Sequence, residues 1–449
     1  MITAQDQIYT ELVAIVGASR VSAGESVRAQ FATGGKIPEV VVYPSSAEEV
    51  AEVLRYASTR GLAVIPVRNA TKLVTGNPPR RYDIALSMKD LNRVWHYEPA
   101  DLTISVEPGM KFGDFQSFVA RHRLWLPLDP AGGARASVGG ILAANASGSL
   151  RTHYGTARDM TLGLKIATPE GKVIKTGGRV VKNVAGYDFT KLMIGSFGTL
   201  GVIVEASFKL FPVPIERATL VLSAADLGKA CEIHKVVQAS SFRPLRFVLI
   251  DHGLSEQISR ATHAPGAEYE FWIELGGTKR VLARCEDELK QIASRFGETL
   301  RSVVAALDGE EIWGRLQSIP EEAAASANDW LLKATLSISK IGEFLNVATR
   351  RFRPLGIIAG TYSDPLAGIV RLQLRSDAAD GKLEDSVLKL RDLAGVLRGS
   401  LVVEVAPAAM EGRVDAWGPV GDDFETMRKL KEAWDPKGIL SPGRFVGGI

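Results

Sequence analysis

The chain has 449 residues, 46% of them apolar and 23% charged, which suits a globular protein with room for two hydrophobic cores. A net charge of +3 supplies no field for nucleic acid, and no apolar run approaches membrane-spanning length. Two cysteines, Cys231 and Cys285, exclude an iron–sulfur cluster held by this chain, and the N-terminus lacks a leader pattern, so a cytoplasmic protein is expected.

Gln7 to Val16 has the spacing of an amphipathic helix, followed by a loop at Gly34-Gly35. Val40 to Tyr43 reads as a buried strand. Ser46-Ala47-Glu48-Glu49 is a capping box that opens a helix running to Arg60 and closed by Gly61. Ala63 to Pro66 is a second strand, completing a β-α-β unit. Arg68-Asn69-Ala70-Thr71-Lys72 follows, with no glycine before Gly76. Asp83–Leu86, Asn92–Tyr97 and Thr103–Val106 read as strands, the last two forming a hairpin around Pro99-Ala100-Asp101. Lys111 to Arg121 is an amphipathic helix. Leu124 to Leu128 then leads into Asp129-Pro130-Ala131-Gly132-Gly133.

The stretch from Ser137 to Pro212 concentrates the signals. Ser137-Val138-Gly139-Gly140-Ile141-Leu142-Ala143-Ala144-Asn145-Ala146-Ser147-Gly148 spaces Val138, Ile141 and Leu142 as a short helix without bulky side chains at its start. Such a start is expected to offer unpaired N–H groups and close approach to a phosphate. Tyr154-Gly155-Thr156-Ala157-Arg158-Asp159 comes next, then a hairpin of Leu164–Thr168 and Lys172–Thr176. A polar loop runs from Gly177 to Asp188, and Gly195 to Glu205 is a glycine-rich turn entering a strand. The glycines of this stretch set backbone, more than side chains, against something bulky.

Beyond Pro212-Val213-Pro214 the pattern changes, and a domain boundary is expected there. Ala218–Leu222, Arg246–Ile250, Tyr269–Leu275, Leu331–Ser337, Ile357–Tyr362, Ile369–Leu374 and Leu401–Val405 read as strands. Asp226–Ala239, Lys279–Phe296, Ile341–Arg351 and Leu383–Leu397 read as helices, which suggests an antiparallel sheet with helices on one face. Phe424 to Trp434 is a last helix.

The order and spacing of these pieces resemble the FAD-binding domain of the vanillyl-alcohol oxidase and p-cresol methylhydroxylase superfamily. Gly177-Gly178-Arg179-Val180-Val181-Lys182-Asn183-Val184-Ala185-Gly186-Tyr187-Asp188 and the tail Asp435-Pro436-Lys437-Gly438-Ile439-Leu440-Ser441-Pro442-Gly443-Arg444-Phe445 resemble the FAD-binding E subunit of glycolate oxidase. The resemblance implies an α+β fold: an N-terminal helical segment (1–35), a two-subdomain FAD-binding domain (36–214), a cap domain (215–423) and a C-terminal segment (424–449) returning to the FAD domain. It implies FAD at Arg68, Asn69, Ala70, Thr71 and Lys72, at Pro127, and at Ser137, Gly139, Gly140, Asn145, Ser147 and Gly148. Tyr154, Gly155, Asp159, Gly201 and Ile203 complete the implied set. Members usually carry two or three glycines where Arg68 to Lys72 stand. Either Arg68 and Lys72 supply charge to the pyrophosphate, with Thr71 adding a hydroxyl, or the pocket has decayed and the domain persists as scaffold.

Oxidation of a 2-hydroxy acid calls for an arginine on the carboxylate and a histidine or metal for the alcohol proton. Arg371, Arg375 and Arg444 are the best carboxylate-clamp candidates, though each reads more readily as an ordinary surface charge. His153 reads as a polar loop residue, His234, His252 and His263 lack ligand spacing, and the histidine-rich metal stretch of D-type subunits is absent. No base is assigned. With no histidine in the Arg68 loop, FAD is expected to be non-covalent. The resemblance implies a subunit acting on a 2-hydroxy acid such as glycolate beside a D-type flavin subunit and an iron–sulfur subunit, reaching the inner membrane only through partners. A stand-alone FAD-dependent 2-hydroxy-acid dehydrogenase and a scaffold subunit without FAD are the alternatives, and Trp417 and Trp434 are candidate partner anchors.

Overall fold

A computed structural model describes residues 4–178, 187–258, 266–303, 306–326, 328–375, 382–407 and 412–449. The chain divides into two compact units, residues 1–147, 156–212 and 415–449 in one and residues 148–155 and 213–414 in the other.

The first unit opens with helix α1 (Ala4–Val16), strands β1 (Val21–Ser22) and β2 (Val40–Val42), helix α2 (Ala47–Arg60), and strands β3 (Val64–Val67) and β4 (Ile84–Ser87). The sheet order is β1-β2-β4-β3, with β2 and β3 parallel to β4 and β1 antiparallel to β2. The predicted capping box forms by half: Ser46 Oγ accepts the Glu49 N–H at 3.1 Å, but Glu49 Oε2 accepts the N–H of Ser45, at 2.7 Å, rather than that of Ser46; Gly61 ends α2 in the left-handed region. Val50, Val53, Leu54 and Ala57 of α2 share one core with Leu12, Val40, Val42, Ile84 and Leu86. Strand β2 is valine throughout and buried at every position, as a parallel strand covered on both faces requires.

A second sheet of this unit joins β5 (Val94–Glu98), β6 (Thr103–Val106), β8 (Thr161–Ala167), β9 (Val173–Gly177) and β10 (Val202–Lys209) in the antiparallel order β5-β6-β10-β8-β9. Short strand β7 (Leu124–Trp125) pairs with β11 (Phe211–Pro212). Helices α3 (Phe112–Ala120) and α4 (Val138–Ala143) lie between β6 and β8 in the chain. Residues 179–186 of the polar loop after β9 fall outside the described residues, as does His263.

The second unit runs β12 (Glu216–Ala224), α5 (Leu227–Ala239), β13 (Arg246–Asp251), β14 (Tyr269–Gly277), α6 (Lys279–Phe296), β15 (Leu300–Val303), α7 (Ala306–Ala325), β16 (Asp329–Thr335), α8 (Ile341–Phe352), β17 (Ile358–Asp364), β18 (Ile369–Arg375), α9 (Lys382–Val396) and β19 (Ser400–Val405). Its strands form one antiparallel sheet ordered β15-β12-β14-β13-β17-β18-β16-β19. Here the expectation of helices on one face fails. Ile312, Trp313, Leu316 and Ile319 of α7 pack with Val221, Val248, Ile250, Trp272 and Leu331 on one face. The alternate residues Leu222, Leu249 and Phe271 turn to the other face, where α5 and α6 pack across the same strands. Gly309, Gly314 and the interior Pro320 break the helical pattern of α7, which is why the sequence reading passes over it.

The unit boundaries depart from the sequence expectation twice. Residues 148–155 belong to the second unit, where the turn of helix Arg151–Tyr154 packs against β13. The return to the first unit begins at Asp415, not 424. Asp415 Oδ2 accepts from Asn77 Nδ2 at 2.7 Å and Ala416 N–H donates to Asn77 Oδ1 at 2.7 Å, anchoring the chain well before helix α10 (Phe424–Trp434). Beyond α10 the tail adds to the first sheet: Val64 N–H donates to Ile439 O at 2.8 Å and Ser441 N–H to Val64 O at 2.9 Å.

The tail is locked by one buried cation. Lys431 Nζ donates to Thr199 O (2.8 Å), Leu440 O (2.9 Å) and Asp435 Oδ2 (2.7 Å). Burial lowers the pKa of Lys431, and Asp435 opposes that shift. Replacing it with an apolar chain strands a buried carboxylate and two carbonyls. Lys431→Met is expected to lower the unfolding free energy by about 3 kcal/mol, read as an earlier denaturant midpoint.

Candidate functional site

The described residues of the first unit enclose two adjoining cavities of about 100 and 90 Å³ that share Pro66, Val67, Arg68, Ser137, Gly140 and Ala143. Strand β3 delivers the chain to the first cavity, and the loop Arg68 to Lys72 forms one wall of it. Ala70 takes the left-handed conformation at φ 58°, a strain of about 1 kcal/mol for a residue with a Cβ. Asparagine tolerates that shape better than alanine, yet it is Ala70 and not the neighbouring Asn69 that adopts it. Among the described residues, the backbone N–H groups of Asn69, Ala70 and Thr71 donate to no protein group. Three donors thus remain available beside Arg68 and Lys72.

Arg68 is held in place before any ligand arrives. Its Nε donates to Gly109 O at 3.1 Å, and one terminal nitrogen donates to Asn69 Oδ1. Asn69 in turn donates to Arg135 O. Burial lowers the pKa of Arg68, and Asp114 and Asp90 oppose the shift. The cation therefore lines both cavities with its position fixed.

Helix α4 forms the opposite wall, but its start is not the open N-terminus that the sequence predicts. Val138 N–H donates to Met110 O at 3.0 Å, Gly139 N–H to Pro108 O at 2.8 Å, and Gly140 N–H to Ser137 Oγ at 3.2 Å. The orphan donors are already used. The two glycines consequently differ in purpose. A Cβ on Gly139 would lie 2.7 Å from Pro108 Cβ, so this glycine permits the close approach of two backbones. A Cβ on Gly140 would meet only Ser137 Oγ, at 3.1 Å, and otherwise enters the cavity.

The second cavity is walled by Pro66, Val67, Met88, Pro108, Val202 and Ile203, a largely apolar set. Gly201 belongs here because its absent Cβ would fall 2.6 Å from Ile166 Cγ2 on β8. Of the sequence-derived residues, Arg68 to Lys72, Ser137, Gly139, Gly140, Gly201 and Ile203 line one cavity or the other. Pro127, Asn145, Ser147 and Asp159 do not, and Gly148, Tyr154 and Gly155 lie in the second unit. Asp159 instead closes a capping box with Thr156, accepting its N–H at 2.8 Å, and Ser147 Oγ accepts from Ala157 N–H at 3.4 Å. Tyr154 has its phenol pKa raised by burial and by the nearby Glu274. Asn145 Oδ1 is buried without a partner among the described residues. Sequence reasoning missed Phe197 and Ser441, which line the first cavity. Phe197, left-handed at φ 57° between Gly195 and Gly198, carried the only available signal, its glycine neighbours.

The three clamp candidates are committed to protein. In the second unit Arg371 Nε donates to Glu404 Oε2 at 2.8 Å over the Tyr362 ring, and although burial acts to lower its pKa, Glu404 raises it further. Arg375 forks onto Asp329 at 2.6 and 2.8 Å. Arg444 is buried in the first unit on Thr33, Leu73 and Thr75. Each was readable as a surface charge or a ligand, and none is simply solvated. His153 is exposed, edge-on to Tyr154.

Residues 38–177 match the model of an FAD binding domain, and residues 213–445 match that of the C-terminal domain of FAD linked oxidases. The chain belongs to the FAD-linked oxidases. It is 31% identical over 432 residues to D-2-hydroxyglutarate dehydrogenase of Xanthomonas citri pv. viticola, covering 91% of this chain and 89% of the relative. It is 26% identical over 437 residues to the mitochondrial cytochrome D-lactate dehydrogenase of Arabidopsis thaliana (91% and 74%). It is 25% identical over 420 residues to the glycolate oxidase subunit GlcD of Bacillus subtilis (91% and 89%). Among solved structures, alkyldihydroxyacetonephosphate synthase superposes with a TM-score of 0.76 at 19% identity, covering 97% of this chain and 84% of that one. Substrate-bound p-cresol methylhydroxylase gives 0.72 at 16%, covering 99% and 97%. These two fix the fold. The FAD-linked oxidase is thus an FAD-dependent oxidoreductase of the 2-hydroxy-acid dehydrogenase type.

The cavity residues fit the cofactor of the family. Free N–H donors next to Arg68 and Lys72 suit a pyrophosphate, and the apolar second cavity suits a flat ring system. Neither cavity is lined by histidine, cysteine or tyrosine among the described residues. Acid precipitation of the yellow protein is therefore expected to release all flavin into the supernatant, and colour in the pellet would reveal a covalent link. Gly140→Val should fill the first cavity while meeting only Ser137 Oγ. FAD affinity is expected to fall at least ~10-fold, roughly 1.4 kcal/mol, with the unfolding transition retained.

Proposed function

We propose that this FAD-linked oxidase is the FAD-binding subunit of a glycolate oxidase-like complex, in which Arg68 to Lys72 would hold the FAD pyrophosphate and the residues of the second cavity would hold the flavin ring. Bound flavin supplies the acceptor for the hydride of a 2-hydroxy acid. The chain's own residues bind it, exclude water from its apolar part and hold the phosphate charge with Arg68 and Lys72. The observation that carries the accessory reading is the commitment of Arg371, Arg375 and Arg444 to internal acceptors. The guanidinium groups best suited to a substrate carboxylate are already bonded to protein acceptors, Arg444 among them although it lines the first cavity. The glycolate oxidase relative, named as subunit GlcD, supports a link to such a complex but not the accessory role within it. With two cysteines in the sequence the chain cannot itself ligate an iron–sulfur cluster, and a D-type flavin subunit and an iron–sulfur subunit are proposed as the partners that would carry the electron relay.

A second reading is a stand-alone 2-hydroxy-acid dehydrogenase. It is favoured by relatives named as dehydrogenases that align over nearly the whole chain. Turnover of 2-hydroxy acids with an artificial acceptor separates the two. The FAD-loaded chain alone is expected to turn over poorly and to gain activity on mixing with D-type and iron–sulfur subunits from the same genome. Robust turnover by the chain alone would establish the second reading.

Of the two candidate anchors, Trp417 is used internally, edge-on to Phe197 and Phe445 and donating to Arg444 O at 2.9 Å. Trp434 is half-buried and meets Phe189, which is 40% exposed beside the open ring of Tyr187. Trp434→Ala is expected to abolish the gain on mixing while the protein stays folded, and an unchanged gain would place the contact elsewhere.

A further inference from the structure

The loop at Arg68 to Lys72 adopts a left-handed turn without the glycine that would make it easy, so something outside the loop must impose it. Arg444 has the right connections. It is 3% exposed, and its guanidinium donates to Thr33 Oγ1 (3.1 Å), Leu73 O (2.7 Å) and Thr75 O (2.8 Å). The same two loop residues point their N–H groups back at the cradle. Leu73 N–H donates to Ala70 O at 3.0 Å and Thr75 N–H to Lys72 O at 3.2 Å. Each of the two residues is thus gripped at its carbonyl by Arg444 and bonded through its N–H to a cradle residue. Thr33 Oγ1 reinforces the grip by donating to Leu73 O at 2.9 Å. The backbone of Arg444 is fixed as well, its carbonyl accepting from Asn77 N–H at 3.1 Å and Trp417 Nε1 at 2.9 Å. A Cβ on Gly76 would stand 2.7 Å from that carbonyl, so the one glycine of the loop serves the approach of the tail.

We propose that Arg444 is the positioning residue of the cofactor loop: from the C-terminal tail it holds Ala70 left-handed and keeps the Asn69, Ala70 and Thr71 N–H groups turned toward the cavity. The inference rests on the reading that this loop cradles the FAD pyrophosphate. A planar guanidinium spans three acceptors at once, whereas a lysine ammonium is a point charge that keeps the sign and loses the fork. Arg444→Lys therefore loosens the loop without leaving an uncharged hole. Glycine at position 70 adopts the left-handed turn without a Cβ clash, so Ala70→Gly makes the loop less dependent on its anchor.

The test measures FAD affinity by flavin fluorescence for the wild type, R444K, A70G, R444K/A70G and G140V, together with thermal unfolding of each flavin-free protein. R444K is expected to bind FAD at least ~10-fold more weakly, A70G within about twofold of wild type, and R444K/A70G to regain most of the loss. If R444K binds like wild type while G140V does not, the cofactor site stands and the role of Arg444 is overturned. If neither variant weakens binding, the site reading fails and the inference with it. If R444K binds weakly, melts early without flavin and is not rescued by A70G, Arg444 only maintains the fold, which also overturns the proposal.

Discussion

Helix α4 is pinned at both ends by backbone hydrogen bonds, and the wall of the candidate site depends on that double attachment. At its start Met110 and Pro108 carbonyls accept from Val138 and Gly139, and at its end the Leu142 and Ala143 carbonyls accept from Gly195 and Phe197, both at 2.9 Å. Each bond contributes about 1 kcal/mol net, yet the geometric effect is larger than the energy. Three segments distant in sequence become one rigid surface, because a six-residue helix cannot shift against either neighbour without stranding polar groups. The left-handed Phe197 and the crowding at Gly139 are local strains that this attachment sustains.

Much of the first unit was legible because its signals are local. The N-cap at Ser46, the β-α-β entry and the hairpin of β8 and β9 are each written in a few adjacent residues. The loop Arg68 to Lys72 stands out by its local composition too, and it lines the first cavity. Its conformation was not legible, since the side of Ala70 on which strain falls is decided by Arg444, far along the sequence. The helix start at Ser137 misled for a related reason. A sequence shows which N–H groups a helix leaves orphaned and is silent about which distant carbonyls will take them.

The second unit shows the complementary failure. Its strands, the short edge strand β15 excepted, were found from apolar runs, but runs buried on both faces carry no alternation to say how many layers cover them. Helix α7 supplies the second layer despite an interior proline and two glycines, because Trp313 and its apolar neighbours bury against the sheet. The arginines were misread through charge alone. Arg246 pairs with Glu274 at 2.9 Å and stacks over Trp313, Arg371 pairs with Glu404, and Arg375 with Asp329, so guanidinium groups here compensate buried carboxylates.

The tail's addition beside β3 has a consequence for biosynthesis. Strand β3 is the edge of its sheet, and Val64 finds its second partner only in Ile439 and Ser441. On a ribosome adding ~5–20 residues per second, the interval between the emergence of Val64 and of Ser441 is on the order of half a minute. During that time the apolar run Val64-Ile65-Pro66-Val67 presents an unpaired edge while the whole second unit is made. Pro66, which has no N–H to offer a foreign strand, sits in the middle of that edge and blunts it. The nascent chain therefore carries its own safeguard against premature pairing until Ile439 and Ser441 arrive.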